Sequence, residues 1–534
     1  MITWLTWTLL VAYVLLSFVL APLFKKAGEN PTHAYIPVYN FMVWSKIIGR
    51  KSSYGLLMLV PYLNIFIFAA LAVDLARSFG RFNFLEFVAA VVGAPFYFGW
   101  LGRQDPEYRG PVMEQERNYL AKLKAAKKAG DKREFNKLAR QNPFKKPSWQ
   151  EWVESAVFAV FAATLIRLLF IEPYIIPTPS MEGSLMVGDF LFVSKVHYGM
   201  RLPETVLQLP LVHNRAPFVG GESYLEKPSL PYRRLPAIEN IDRYDPVVFN
   251  MPAGDSVYVF PDRVYTDMDY KTGAIHNPRY VRRIETGRTK LVTRPRDKKD
   301  LYVKRAVGLP GDTLEIRNRD LYIDGKRVEH PSTVQFLYNV AFSAAPNQRN
   351  WANWGIAEDD VHTNGSAYSM FLNSEQIEQL KEDDPNLQIE HMNFDRPQFM
   401  GRKMYPHNAR YNSNWSNDNY GPIWIPKAGS TVTLTPQNFD IYYRPIKIYE
   451  GNTIERRGNQ FVINGEVTNK YTFKQDYYWL MGDNRHNSED SRVWGFVPMD
   501  HVVGKPLFIW FSLRENSFAK GINWSRIFTS AAEN

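Results

Sequence analysis

The chain has 534 residues, of which 45% are hydrophobic, with a mean hydropathy of −0.32 and a formal net charge of +10. That length exceeds one ordinary domain, and the balance of hydropathy fits a few membrane segments joined to a large water-soluble part. There is no cysteine, so disulfides, thiolate catalysis and cysteine-ligated zinc are excluded.

The first apolar run, residues 3–24, has about the 20 residues that a membrane helix needs. Lys25 and Lys26 follow it rather than precede it, which argues against a cleaved signal peptide and for an anchor whose N-terminus lies outside. Runs at 54–76 and 84–101 predict a second and a third crossing, each of which could instead be a buried helix of a soluble domain. Asp74, Arg77 and Arg81 sit in or beside their connection. The stretch 35–44 is too short to span and reads as interfacial. Residues 103–149 hold 13 Lys and Arg against 6 Asp and Glu, and 113–139 is rich in helix formers, which predicts a solvated cytoplasmic helix. A fourth run, 152–171, carries Arg167 near its outer end. Four crossings that start outside put the basic segment inside and everything after residue 172 outside, in agreement with the charge bias. The basic excess therefore belongs to membrane-flanking loops, and no nucleic-acid partner is expected.

Beyond residue 172 the apolar pattern alternates, at 189–197, 246–250 and 321–328, and the last of these reads as a hairpin turning at Asp324-Gly325. A helical period is clear only at 374–382, and 508–512 is a short apolar strand. This part is expected to be mainly antiparallel β, interrupted by a β-rich insertion over 317–475.

Three segments carry chemistry. Pro177-Thr-Pro-Ser-Met181 places Ser180 just beyond the fourth run. Serine is a weak nucleophile until a base takes its proton, and a lysine can do so only when burial keeps it neutral. Lys304 lies in Leu301-Tyr-Val-Lys-Arg-Ala-Val-Gly308, where strand alternation puts it on the face of Tyr302 and Ala306, opposite Arg305. The third segment, 482–498, is dense in hydrogen-bonding side chains. Taken singly, each has a plain alternative: a loop serine, a snorkelling strand lysine and a polar surface loop.

Together, and in this order, the segments resemble the signature boxes of bacterial type I signal peptidase, the membrane-bound leader peptidase. Arg243-Tyr-Asp-Pro-Val-Val-Phe249 resembles that family's central strand and Tyr302-Val-Lys-Arg-Ala-Val-Gly-Leu-Pro-Gly-Asp312 its lysine box. The resemblance implies Ser180 as nucleophile, Lys304 as general base, Thr178 with the Ser180 amide as oxyanion hole, Ser488 as the serine that orients the lysine, and Asp490 with Arg492 as a structural ion pair. It also implies that Tyr174, Ile176, Met181, Val248, Tyr302 and Val303 line pockets for small side chains, suited to Ala-X-Ala before the scissile bond. No cofactor is implied. The implied partners are preproteins with signal peptides, the lipid bilayer and the protein translocation machinery. The implied place is the bacterial inner membrane, with the catalytic part on the periplasmic side.

The expected fold is a multi-span α-helical membrane anchor with a mainly antiparallel β catalytic domain, signal-peptidase-like and related to Ser/Lys autoproteases, that carries a large β-rich insertion. Its parts are a membrane region (1–102), a basic cytoplasmic linker (103–150), a transmembrane helix (151–172), a peptidase core (173–316 and 476–515), the insertion (317–475) and a tail (516–534). Asp245-Pro246 and His486 depart from the family pattern. Lys195 is an alternative base without a matching motif. A membrane-anchored scaffold with a degenerate peptidase domain is the competing reading. A Ser-His-Asp hydrolase lacks its Gly-X-Ser-X-Gly elbow here.

Overall fold

The structure is a computed structural model. It describes residues 4–531 apart from 61–62, 206, 213, 215–221, 228, 253–255, 261–263, 268–269, 271–274, 276, 357–360, 365–366, 395–397, 400–401 and 408–413. The chain divides into two compact units, residues 1–165 and 166–534.

The first unit is helical: α1 (Trp4–Lys26), α2 (Tyr39–Ile47), α3 (Leu63–Ser78), α4 (Phe84–Val92), α5 (Ala94–Arg103), α6 (Val112–Lys128), α7 (Lys132–Arg140) and the start of α8 (Ser148–Leu169). Leu20, Phe24, Trp44, Leu71, Leu75, Phe98 and Leu101 form its buried core. The Trp44 indole N–H reaches the Leu71 carbonyl at 3.0 Å, so the ring's one polar atom is satisfied inside that core. The helix expected over 113–139 is two helices, separated at Gly130, where φ is 74°, and the second starts on an Asp131 side-chain cap.

Of the expected crossings, the described residues bear out the fourth, α8, as a helix of spanning length, while the second and third runs are broken. The run at 54–76 is divided between a 3-10 segment, Ser52–Leu59, and α3. The run at 84–101 is the pair α4 and α5, bent by 120° at Gly93, where Pro95 stands in the first turn of α5 and cannot continue the preceding helix. Among the described residues one helix, α8, is long and apolar enough to cross a membrane, or two spans result if the bent pair counts as one.

The second unit is built on a seven-stranded sheet, antiparallel throughout. In spatial order its strands are Ile171–Ile175, Asp189–Ser194, Val502–Ser512, Pro246–Asn250, Leu301–Gly308, Tyr477–Met481 and Val497–Pro498. Pro246 opens its strand, a position where the missing N–H is tolerated. The ladder continues around it through Tyr244 N–H to Ala306 O and Ala306 N–H to Asp245 O. Val247 faces Lys304 across the ladder.

Residues 321–328 form the expected hairpin, with Asp324 and Gly325 both at positive φ (50° and 77°), as a two-residue hairpin turn of the I′ type requires. A second four-stranded sheet spans 336–391. It packs on the helix Ser374–Asp383, which opens with a capping box between Asn373 and Gln376. That subdomain has its own core of Trp351, Trp354, Met370, Leu372 and Leu380. Among the described residues the largest core joins Leu314, Tyr420, Ile441 and Phe461 to Val307, Trp479 and Phe496, so residues 317–475 share their interior with the strands they interrupt. The C-terminal residues fold back along the Val502–Ser512 strand. Ile509 N–H meets Thr529 O and Ala531 N–H meets Leu507 O, while the Arg526 guanidinium pairs with the buried Asp189 at 2.7 Å.

Candidate active site

Two prolines shape the loop that presents Ser180. Each biases its preceding residue to extended backbone, and Pro179 begins a single 3-10 turn, Pro179–Met181. Ile176 N–H to Asp189 O and Gly188 N–H to Ile176 O fasten the base of the loop to the sheet. Ser180 is 8% exposed, and Met181 is fully buried behind it. Thr178 Oγ1 lies 3.5 Å from Ser180 Oγ.

Lys304 arrives from the Leu301–Gly308 strand, and its Nζ is hydrogen-bonded to Ser180 Oγ. The side chain is 2% exposed. Burial pulls its ammonium down from the ordinary 10.5 to about 8, against the opposing pull of Asp490, Glu489 and Asp483. Desolvation wins because an ammonium inside apolar surroundings loses hydration that distant carboxylates replace only in part. Tyr302, two positions earlier on the same strand face, holds its ring 5.8 Å from Nζ.

The segment 482–492 encloses the pair from the other side. Asn484 N–H donates to the Ser180 carbonyl at 3.2 Å. Gly482 passes so close that a Cβ there would lie 2.3 Å from the Ser180 carbonyl oxygen and 2.2 Å from Ser488 Oγ, so only glycine fits. The Ser488 hydroxyl is 1% exposed and donates to the Glu489 carbonyl at 3.5 Å. Arg492 grips Asp490 through Nε at 2.9 Å and Nη2 at 2.8 Å, and Gly482 N–H adds a third bond to that carboxylate. Burial would raise the Asp490 carboxyl, but Arg492 and these N–H donors outweigh it and hold it below the usual carboxylate range.

A cleft of about 670 Å³ opens over Ser180 and Lys304, and Tyr174, Ile176, Met181, Val248, Tyr302 and Val303 all line it. Ser488, Asp490 and Arg492 are not part of the cleft wall; Asp490 and Arg492 lie near enough to act on the Lys304 charge, while the Ser488 hydroxyl meets the Glu489 carbonyl. Lys195 is not in that wall either; it is ion-paired with Glu172 at 2.6 Å, which removes it as a base for Ser180.

Two residues were not singled out from the sequence. Arg305 and Asp483 form a buried two-pronged pair, at 2.7 and 2.6 Å, and Asp483 also accepts from Ser184 Oγ at 2.7 Å. They tie the lysine strand, the 482–492 segment and the serine loop into one piece. The available signal was the alternation that sends Arg305 to the face opposite Lys304. His486 is a structural residue: Leu337 N–H donates to its Nδ1 at 3.1 Å, which leaves Nε2–H to donate to Asp418 at 2.7 Å. Burial holds its imidazole below its ordinary range, so a neutral ring joins residues 336–418 to the catalytic segment.

The model of the family described as signal peptidase, peptidase S26, matches residues 149–367 and 449–511, which is more than half of the chain and includes every residue of the site. The chain belongs to this family. Relatives among peptidase S26 proteins include signal peptidase I of Rickettsia massiliae, 22% identical over 370 residues (69% of this chain and 82% of that protein). Signal peptidase I of Rickettsia akari is 24% identical over 373 residues (70% and 82%), and that of Buchnera aphidicola subsp. Schizaphis graminum 24% over 381 residues (69% and 77%). The chain is thus a serine endopeptidase of the type I signal peptidase class. The S26 match breaks at 368–448, inside the expected insertion. Residues 32–111 match a family of unknown function (DUF5684).

Proposed function

We propose that the chain removes signal peptides from exported preproteins, cutting after small residues of the Ala-X-Ala kind with Ser180 as nucleophile and Lys304 as its base. The observation that carries this reading is the buried contact between Lys304 Nζ and Ser180 Oγ at the floor of an apolar cleft. Neutral Lys304 takes the Ser180 proton as Oγ attacks the scissile carbonyl. The Ser180 amide and the Thr178 hydroxyl are the donors for the oxyanion, an interaction worth several kcal/mol in such sites. The leaving amine takes the proton from Lys304. The same lysine then activates the water that releases the acyl group. Ser488 holds the lysine's orientation, and the Asp490–Arg492 pair fixes the backbone behind it. The cleft wall, made of Ile176, Met181, Val248, Tyr174, Tyr302 and Val303, accepts the small side chains ahead of the cut.

The placement along the chain supports action at a bilayer: Ser180 follows the end of α8 by 11 residues (180 − 169). Phe190, Phe192, Phe508 and Trp510 form an aromatic cluster on neighbouring strands, and Phe518, Trp524 and Phe528 are each more than 70% exposed. Such rings suit the headgroup level of a membrane. In this reading α8 crosses the bacterial inner membrane, the catalytic unit works on its periplasmic side, and the translocation machinery delivers the substrate.

The test is cleavage of a preprotein with an Ala-X-Ala site by purified protein in detergent. Ser180→Ala and Lys304→Ala are expected to abolish cleavage with folding intact. Full activity in Lys304→Ala would refute the dyad, and no cleavage by folded wild type would favour the scaffold reading.

A further inference from the structure

The helical unit records how its chain ends meet, and this bears on what residues 27–104 do in a membrane. Three excursions leave and return to one polar layer. Glu29 pairs with Lys46 at 2.7 Å. Arg50 pairs with Asp74 at 2.8 Å. Arg81 donates to Gln104 at 2.5 Å, and Arg109 N–H donates to the Ser78 carbonyl at 2.9 Å. The same layer holds the Lys26–Asp105 and Arg77–Glu116 pairs. A segment that crosses a hydrocarbon layer sets its two ends about 30 Å apart. The ends of each excursion here are in hydrogen-bond contact.

The turns of the excursions have the opposite character. At the bend between α4 and α5, Val92 is 84% and Phe96 81% exposed; on the excursion through α3, Leu59 is 61% and Ile65 56% exposed. No charged residue lies between Arg50 and Asp74 apart from Lys51, which adjoins the layer, or between Glu86 and Arg103. The helix α8 serves as a ruler. Its Trp149 ring lies 5.3 Å from Phe84, where α4 leaves the polar layer, and its Phe161 ring lies 5.5 Å from Phe66, near the far end of α3. Twelve helical residues separate those contacts (161 − 149), about 18 Å at 1.5 Å per residue, and eight more (169 − 161) complete the helix.

The geometry points to residues 27–104 as a wedge of re-entrant hairpins that occupies one lipid leaflet, with acyl chains as the partner of its apolar turns and only α8 and the anchor expected from the sequence at 3–24, the 23-residue helix α1, crossing. The ionic mouths lie at one headgroup level, beside the segment 103–149 with its excess of seven basic residues (13 − 6), a charge that suits an anionic leaflet. Two crossings leave the N-terminus and the catalytic unit on the same side, as four would, so net topology alone does not separate the arrangements. The turn between α3 and α4 does separate them.

The chain has no cysteine, so single cysteines can be read in the full protein in vesicles of either orientation with a membrane-impermeant maleimide. Lys122→Cys and Glu466→Cys mark the two sides. Ser52→Cys and Phe82→Cys are expected to label only from the Lys122 side, and Leu59→Cys and Val92→Cys from neither side until detergent is added. Labelling of Phe82→Cys from the Glu466 side would restore the four-crossing arrangement and overturn the wedge. Labelling of the Leu59 or Val92 variants in intact vesicles, from either side, would place the turns in water or against a protein and overturn it as well. The inference relies on the membrane anchorage proposed above. If the Lys122 and Glu466 markers label from the same side, that topology of the catalytic unit fails, while the hairpins are still judged by Phe82 against Lys122.

Discussion

If Lys304 is the base, the pH dependence of cleavage carries its signature. With burial holding its ammonium at about 8, the neutral fraction is about 9% at pH 7, half at pH 8 and about 90% at pH 9. The second-order rate constant kcat/KM reports the free enzyme's essential base, so it is expected to rise about tenfold between pH 7 and pH 9 and then level off. A lysine at its ordinary 10.5 would give about a hundredfold rise over that interval with no plateau before pH 10. The assay is the initial rate on an Ala-X-Ala preprotein between pH 6 and 11, with folding checked at each pH. Glu489→Gln tests the cause. Glu489 is among the carboxylates that hold the lysine up, so its neutralisation is expected to move the midpoint to lower pH. A hundredfold rise, or a midpoint that moves upward in Glu489→Gln, would refute a base tuned by desolvation. Lys304→Arg is expected to be inactive at every pH, because guanidinium does not deprotonate in this range.

Gly482→Ala is expected to abolish cleavage while the fold survives, since the added carbon collides with the Ser180 carbonyl and Ser488 Oγ; wild-type activity with unchanged circular dichroism would contradict that packing. Arg492→Met leaves the Asp490 carboxylate buried without its pair and is expected to lower stability by about 3–5 kcal/mol, read as a shift in denaturant midpoint. Burial lowers the His501 imidazole to about 4, with Asp500 pulling the other way. Below pH 6.5 the unfolded chain therefore takes up a proton that the folded one refuses, so stability falls as pH drops from 6.5 to 4, by about 3 kcal/mol from this group. His501→Asn is expected to flatten that part of the stability curve, and an unchanged slope would refute the assignment.

The candidate site was legible through its resemblance to a family's signature boxes, each a local stretch, although Ser180 and Lys304 taken singly kept plain alternatives. Strand alternation at 301–308 fixes which side chains share a face with Lys304, and the two prolines around Thr178 predict a turn at Ser180, whose side chain the structure buries. Each of these readings needs only a few neighbouring residues. The Asp324-Gly325 hairpin was legible for the same reason, since two residues at positive φ suffice to turn the chain. His486 was ambiguous because its partners, Leu337 and Asp418, lie 149 and 68 residues away. The Arg305–Asp483 pair, 178 residues apart, was hidden by the same distance.

The sequence by itself determined the apolar runs and the antiparallel β character beyond residue 172, because composition, period and turn preference act over a few residues at a time, and its resemblance to the family's boxes singled out the candidate catalytic residues. The tertiary structure alone decided three things. It closed the 124-residue gap between Ser180 and Lys304, it buried the lysine far enough to lower its ammonium, and it brought the ends of the second and third apolar runs back to one polar layer. Length and hydropathy measure whether a segment can reach across a membrane. Whether its ends part or meet depends on which polar side chains pair, as Arg50 does with Asp74 and Arg81 with Gln104, 24 and 23 residues apart, and a hydropathy window of about 19 residues does not contain both members of such a contact.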